Sequence, residues 1–124
     1  MAKTVAEKLL VREGTRVLVL GAPQGWSLGA GEPPVAGEAD AVLLFAPDAA
    51  ALERELDGAL AAVPHDGLAW VAYRKGGAKA GTDLNRDILQ ARLADHGVTG
   101  VTLVALDETW SAMRVRPTDR VGRR

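Results

Sequence analysis

Four short, nearly unbroken apolar stretches, Val17–Leu20, Ala41–Ala46, Leu68–Tyr73 and Val101–Leu106, constrain this chain more than any other feature. A strand wet on one face alternates apolar and polar residues, whereas a run apolar throughout belongs to a sheet covered on both faces. Helical patterns separate the stretches. Pro47-Asp48 ends the second run, Asp48 stands as an N-cap, and Leu52, Leu56, Leu60 and Val63 then recur at three- and four-residue spacing along a helix over about 49–63. Glu53, Arg54, Glu55 and Asp57 fill its wet side. Beyond Tyr73, Thr82 or Asp83 caps a second helix that turns Leu84, Ile88, Leu89 and Leu93 inward, and Gly97, following His96, stops it in the left-handed conformation. Strands joined through helices imply right-handed crossovers and a mainly parallel sheet with helices on its faces, so the expected fold class is α/β.

The two ends carry different patterns. Thr4-Val5-Ala6-Glu7 is a capping box that opens a short helix to about Val11, and the first strand covers Thr15–Leu20, read as buried on both faces. From Gly21 to Ala39 the chain is rich in glycine and proline, with Trp26 and Leu28 as anchors to the core and no full helical pattern. Near the C-terminus, Ser111–Arg116 alternates apolar and polar residues like a strand exposed on one face. Only Asp107-Glu108-Thr109-Trp110 separates it from the preceding run, so the two form an antiparallel hairpin. The expectation is a five-stranded, mostly parallel sheet of order 1-2-3-5-4 inside a three-layer sandwich. Residues 1–116 make the single domain and 117–124 a basic flexible tail.

Composition excludes several functions. With 124 residues there is room for one core, and with 48% hydrophobic but only 4% aromatic residues that core is built from Val, Leu and Ala. The absence of cysteine removes disulfides, thiolate metal sites and a cysteine nucleophile, and two histidines, His65 and His96, are too few for a histidine-based metal site. No apolar run approaches the ~20 residues of a membrane span and Met1-Ala2-Lys3-Thr4 lacks a signal-peptide pattern, so a cytoplasmic protein without membrane contact is expected. The net charge of −1 conceals an asymmetry: residues 114–124 hold five arginines against Asp119, while residues 1–113 hold ten basic and fifteen acidic groups. Arginine binds phosphate bidentately, but this run is short, lacks aromatic residues and sits on an acidic body, so a solvated tail is favoured over a nucleic-acid contact.

The middle of the chain resembles the second half of a class I methyltransferase: the strand Asp40 to Ala46, the helix Asp48 to Val63, a proline-aspartate-glycine turn and the strand Leu68 to Tyr73. More broadly, the chain is similar to a bacterial family of small domains of unknown function. The likeness rests on Thr15–Leu18 followed by the turn Ala22–Trp26, on Tyr73–Lys75, on Thr82–Leu84, and most specifically on Asp107-Glu108-Thr109-Trp110-Ser111-Ala112-Met113-Arg114. Gly76-Gly77-Ala78 stands where that family carries a lysine and serines. The resemblance implies a Rossmann-like fold and brings no activity with it. A methyltransferase needs a glycine-rich first loop leading into a helix, and the 19 residues from Gly21 to Ala39 cannot house a helix, two strands and another helix. The implied fold lacks its second and third strands, and no cofactor is expected.

In a parallel sheet, ligands bind beyond the carboxyl ends of the strands. The turn Gly21–Trp26, Pro47-Asp48, the loop Tyr73–Thr82 and the hairpin Asp107–Trp110 converge there. The candidate ligand-binding residues are Gly21, Gly25, Trp26, Tyr73, Arg74, Lys75, Thr82, Asp107, Glu108 and Trp110, with Lys79 as a further cation. This mixture of cations, hydroxyls, carboxylates and indoles suits an anionic or planar ligand. Each member also has a structural role: Asp48 and Asp83 as caps, Asp107 and Glu108 on the hairpin backbone, Trp26 and Trp110 as packing. Ser111 has no histidine near it in sequence, and no catalytic set emerges.

The expected function is therefore a non-catalytic domain binding a small molecule or a protein at the strand ends. One alternative is a minimal transferase or hydrolase using Asp107 or Glu108 with Lys75, and a second is a nucleic-acid contact through the arginine-rich tail. A first strand left at the sheet edge also makes a homodimer conceivable.

Overall fold

The computed structural model describes residues 4–29, 31–36 and 38–120. Its strands are β1 (Val17–Leu20), β2 (Ala41–Phe45), β3 (Leu68–Arg74), β4 (Val98–Ala105) and β5 (Trp110–Pro117), and its helices are α1 (Val5–Lys8), α2 (Ala49–Ala61) and α3 (Arg86–Asp95). They form one five-stranded sheet of order β1-β2-β3-β5-β4. β1, β2 and β3 pair in parallel, and β5 runs antiparallel between β3 and β4. Four strands thus point the same way, and their carboxyl ends share one rim with the start of β5.

Each face of the sheet has its own apolar layer. Val42, Leu44, Val71, Tyr73, Met113 and Val115 meet Leu52 and Leu56 of α2, and Leu84, Leu89 and Leu93 of the α3 segment. Leu43, Phe45, Trp70 and Ala112 meet Leu9, Val11 and the partly buried Trp26 and Leu28, so α1 and the glycine-rich loop take the place of a second helical layer. The Trp70 indole donates to the Leu9 carbonyl at 3.0 Å, which ties the N-terminal segment to the middle of the sheet.

Several local features follow the sequence. Thr4 and Glu7 form the reciprocal capping box and Asp48 caps α2 through the Ala51 amide. Gly97 takes a φ of +78° just after α3. Other features differ. α1 ends at Lys8, and Leu10 adopts a φ of +64°. β1 is only partly buried, because it is the edge strand and no helix follows it. Its outer side is bridged by the chain itself, with Val17 donating to the Glu32 carbonyl and Glu32 to the Thr15 carbonyl. The strand exposed to water is β4 rather than β5, since insertion of β5 beside β3 makes β4 the opposite edge and leaves Val101 and Leu103 exposed. A register shift between Gly100 and Thr102 interrupts that edge, and the Gln90 side chain bonds both the N–H and the C=O of Gly100.

The expected cap of α3 also moves. Asn85 is the N-cap, accepting from the Ile88 amide at 2.8 Å, whereas Thr82 accepts from Leu84 and Asp83 from Ala49. The helix is capped two or three residues later than expected, and Ile88 faces outward at 41% exposed while Leu84, Leu89 and Leu93 stay buried. Residue 117 is the last of β5, and Thr118–Arg120 form a single 3-10 turn anchored by the Thr118 amide on the Gly97 carbonyl. The remainder of the expected tail, 121–124, lies outside the described residues.

Candidate functional site

Antiparallel pairing at the rim places Tyr73 directly opposite Ser111 and Arg74 opposite Trp110. Directly opposed side chains lie on one face of a sheet, so the phenol and the serine hydroxyl are neighbours. Beyond them Gly76 and Gly77 adopt φ of +94° and +53°, which lets the chain turn sharply into a 3-10 turn at Gly77–Ala80. Thr82 is buried, its amide donates to the Gly77 carbonyl, and its hydroxyl holds the Leu84 amide, so this loop is returned to the rim at the start of α3.

The result is a cleft of about 340 Å³ lined by Tyr73, Arg74, Lys75, Gly76, Gly77, Asn85, Arg86 and Ser111. Lys75 and Arg86 bring cations to it and none of the lining residues is acidic; Arg74 borders the cleft, but its guanidinium lies over Trp110 on the opposite face of the sheet. Tyr73 and Ser111 are 6% and 8% exposed, and among the described residues neither hydroxyl has a hydrogen-bond partner. Burial raises the Tyr73 pKa, with nearby Arg86 acting in the opposite direction, so its phenol is a neutral donor at ordinary pH.

Two of the cations are held in place without a carboxylate. The Lys75 ammonium donates to the Asp107 carbonyl, and the Lys75 amide to the Thr109 carbonyl. Arg74 lies over the Trp110 ring at 5.6 Å from its centroid. Among the described residues neither makes an ion pair, and Arg86 has only the exposed Asp87, at 3.9 Å.

The other sequence candidates divide from this cleft. Asp107 accepts from the Thr109 and Trp110 amides at 2.7 and 2.8 Å, so its carboxylate closes the hairpin turn. Glu108 is exposed and does not line the cleft. Trp110 is buried edge-on to Phe45 with centroids 5.0 Å apart, and Trp26 meets the other side of Phe45 at 4.8 Å. The two indoles therefore pack into one aromatic row. Gly25 lies in an exposed turn with a φ of +82° and open space around its Cα. Gly21 has a φ of +71°, and a Cβ there would lie 2.9 Å from the Phe45 carbonyl oxygen. It borders a separate cleft of about 280 Å³, with Leu20, Leu44, Phe45, Pro47, Ala51, Arg54 and Glu55.

Sequence reasoning missed three residues of the cationic cleft. A helix capped at Thr82 or Asp83 puts Asn85 and Arg86 inside its first turn rather than at its entrance, and as the start of a strand Ser111 gives no sign of the partner it faces. The detectable signal was a cap-type residue, Asn85, followed by an arginine at the entrance to the helix. The N-terminus of α2, by contrast, is filled by two carboxylates, Asp48 on the Ala51 amide and Asp83 on the Ala49 amide. The positive end of that helix is thereby neutralised from within the protein.

No protein-family model matches the sequence, and no curated protein is matched significantly. Among solved structures, the chain is similar to a protein in the NADB-Rossmann superfamily from Streptococcus agalactiae, with a TM-score of 0.50 and 12% identity over 94% of this chain and 69% of that one. At that identity the likeness establishes a Rossmann-like α/β fold. Among the described residues no helix is long and apolar enough to cross a membrane, and no cluster of His, Asp or Glu could hold a metal ion.

Proposed function

We propose that this chain is a non-catalytic binding domain derived from a methyltransferase-like fold, cytoplasmic and of the bacterial small-domain type that its sequence resembles. Its ligand sits at the rim formed by the ends of β3 and β5. The observation that carries the reading is the cleft itself, where the solvent-accessible hydroxyls of the largely buried residues Tyr73 and Ser111, unpartnered among the described residues, stand beside Lys75 and Arg86. Both hydroxyls are open to the cleft with hydrogen-bonding capacity to offer a polar occupant in place of water.

The chemistry of the lining favours binding over turnover. Acid–base catalysis requires a group that can take up a proton beside the reacting atom. The lining has no carboxylate or imidazole, the Lys75 ammonium is directed at a backbone carbonyl, and Asp107 is engaged by two amides. The alternative enzyme built on Asp107 or Glu108 with Lys75 is disfavoured, since Asp107 closes the hairpin turn and neither carboxylate lines the cleft. The first-strand turn leads into irregular chain rather than a helix, which argues against a sulfonium or dinucleotide cofactor there.

Thermal unfolding with a panel of S-adenosylmethionine, its demethylated product, nucleotides, dinucleotides and neutral and phosphorylated sugars tests this. A ligand at 100 times its Kd stabilises by about 2.7 kcal/mol, roughly 10 °C for a domain of this size. The reading expects such a shift from at least one compound, reduced in Ser111→Ala and Tyr73→Phe. A shift with S-adenosylmethionine that survives both substitutions but is lost in Gly21→Ala would overturn it.

A further inference from the structure

The same cleft defines what its ligand carries, and we infer that it takes the terminal phosphate of a small phosphomonoester. This rests on the binding reading above and adds the ligand's chemical class. Lys75 and Arg86 bring two positive charges to one cleft that no acidic side chain lines, while the Arg74 guanidinium is held over Trp110 on the opposite face of the sheet. A phosphate monoester bears close to two negative charges at neutral pH and offers three terminal oxygens, more acceptors than a single carboxylate.

Hydrogen-bond supply points the same way. Tyr73 and Ser111, both more than nine-tenths buried, offer hydroxyl donors that are unpartnered among the described residues. Asn85 engages only the Ile88 amide with its side-chain oxygen, so the earlier amides of the first turn of α3, which no helix satisfies internally, remain at the cleft mouth. Gly76 and Gly77 present backbone without side chains beside them. The two helix N-termini at this rim therefore differ: that of α2 is closed by Asp48 and Asp83, and that of α3 faces the cations.

Size restricts the remainder of the molecule. About 340 Å³ is near the lower limit of small-molecule sites, room for a phosphate and a few carbons but not for a dinucleotide. Trp110 and Trp26 pack on Phe45 and neither lines the cleft, so no indole is placed there to stack on a base. A small phosphorylated metabolite of sugar size fits these limits.

The test is isothermal titration and thermal unfolding of the full chain with ribose 5-phosphate, inorganic phosphate and ribose, in buffers matched for ionic strength with sodium chloride. Saturable binding of ribose 5-phosphate is expected, weaker binding of phosphate and none of ribose. Arg86→Gln, an exposed substitution that leaves the fold intact, should weaken binding about tenfold or more, the usual loss of a charged hydrogen bond, and Ser111→Ala should weaken it severalfold. Equal stabilisation of the wild type and Arg86→Gln by every anion would reduce the effect to general electrostatics and overturn the inference. If neither phosphate compound binds but a neutral compound of the wider panel does so in a Ser111-dependent way, the phosphate inference fails and the binding reading stands. If nothing binds, both fail.

Discussion

Raising the pH should weaken the contact between α2 and α3, and replacing His96 should remove that dependence. His96 closes α3 with its ring between two carboxylates of α2: Nδ1 lies 2.8 Å from Asp57 Oδ1 and Nε2 lies 2.7 Å from Glu53 Oε1. Only the imidazolium can donate from both nitrogens. The bonds to Asp57 and then to Glu53 raise the His96 pKa above its ordinary value, and the Glu53 pKa is lowered by His96 and by Arg92, which lies 3.1 Å from it. A raised folded-state pKa means the stabilisation is complete below the unfolded value of about 6.5 and disappears as the pH rises through the folded value. Asp57 and Glu53 are largely open to solvent, and exposed ion pairs contribute about 0.2–1 kcal/mol each, so the two bonds sum to about 1 kcal/mol. At about 2.1 cal/mol/K of unfolding entropy per residue, a 124-residue chain converts this to roughly 4 °C. Melting curves from about pH 5.5 to 8.5 should show the wild type losing that much relative to His96→Gln, and less of it at high salt. His65, near Asp119, is common to both proteins and cancels. Parallel curves across the range would refute the reasoning.

Four further outcomes are expected. Trp70→Phe leaves the buried Leu9 carbonyl without its donor and should cost about 1–3 kcal/mol in denaturant unfolding. Gly21→Ala combines a left-handed residue with a clash against the Phe45 carbonyl, and should cost about 1–2 kcal/mol or more, while Gly25→Ala meets open space and should cost less. Asp83→Ala frees the Ala49 amide at the start of α2 and should lower stability by about 0.5–2 kcal/mol, measured by chemical denaturation. Asp107→Ala opens the hairpin turn and should lower the melting temperature by several degrees while leaving affinity for a ligand of the cationic cleft within about twofold in calorimetry.

The sheet was legible because its information is local. Continuous apolar runs mark β2 and β3, and the four-residue separation of the last two strands sets the β4–β5 hairpin. The order 1-2-3-5-4, with β5 on the inside, was legible too, whereas which hairpin strand meets water is a tertiary matter. The alternation in Ser111–Arg116 suggested one exposed face, yet Trp110–Pro117 is largely buried because β5 lies between β3 and β4, and the apolar run of β4 lies at the edge with Val101 and Leu103 exposed. The same limit governs the rim. Tyr73, Arg74 and Lys75 follow from the end of an apolar run, but Ser111 joins them only through antiparallel register and Arg86 only through the late start of α3 at Asn85. Trp26 and Trp110 looked like ligand faces because sequence does not show that Phe45 stands between them.

Mapping the amide resonances of the isotopically labelled protein during a titration with ribose 5-phosphate tests the central claim most directly. The account predicts saturable changes concentrated at Tyr73 to Gly77, Asn85 to Asp87 and Ser111, with Gly21, Gly25 and the residues after Pro117 unmoved. Changes centred on the Gly21 turn or on the arginine-rich terminus, with the Tyr73 and Ser111 amides still, would contradict it.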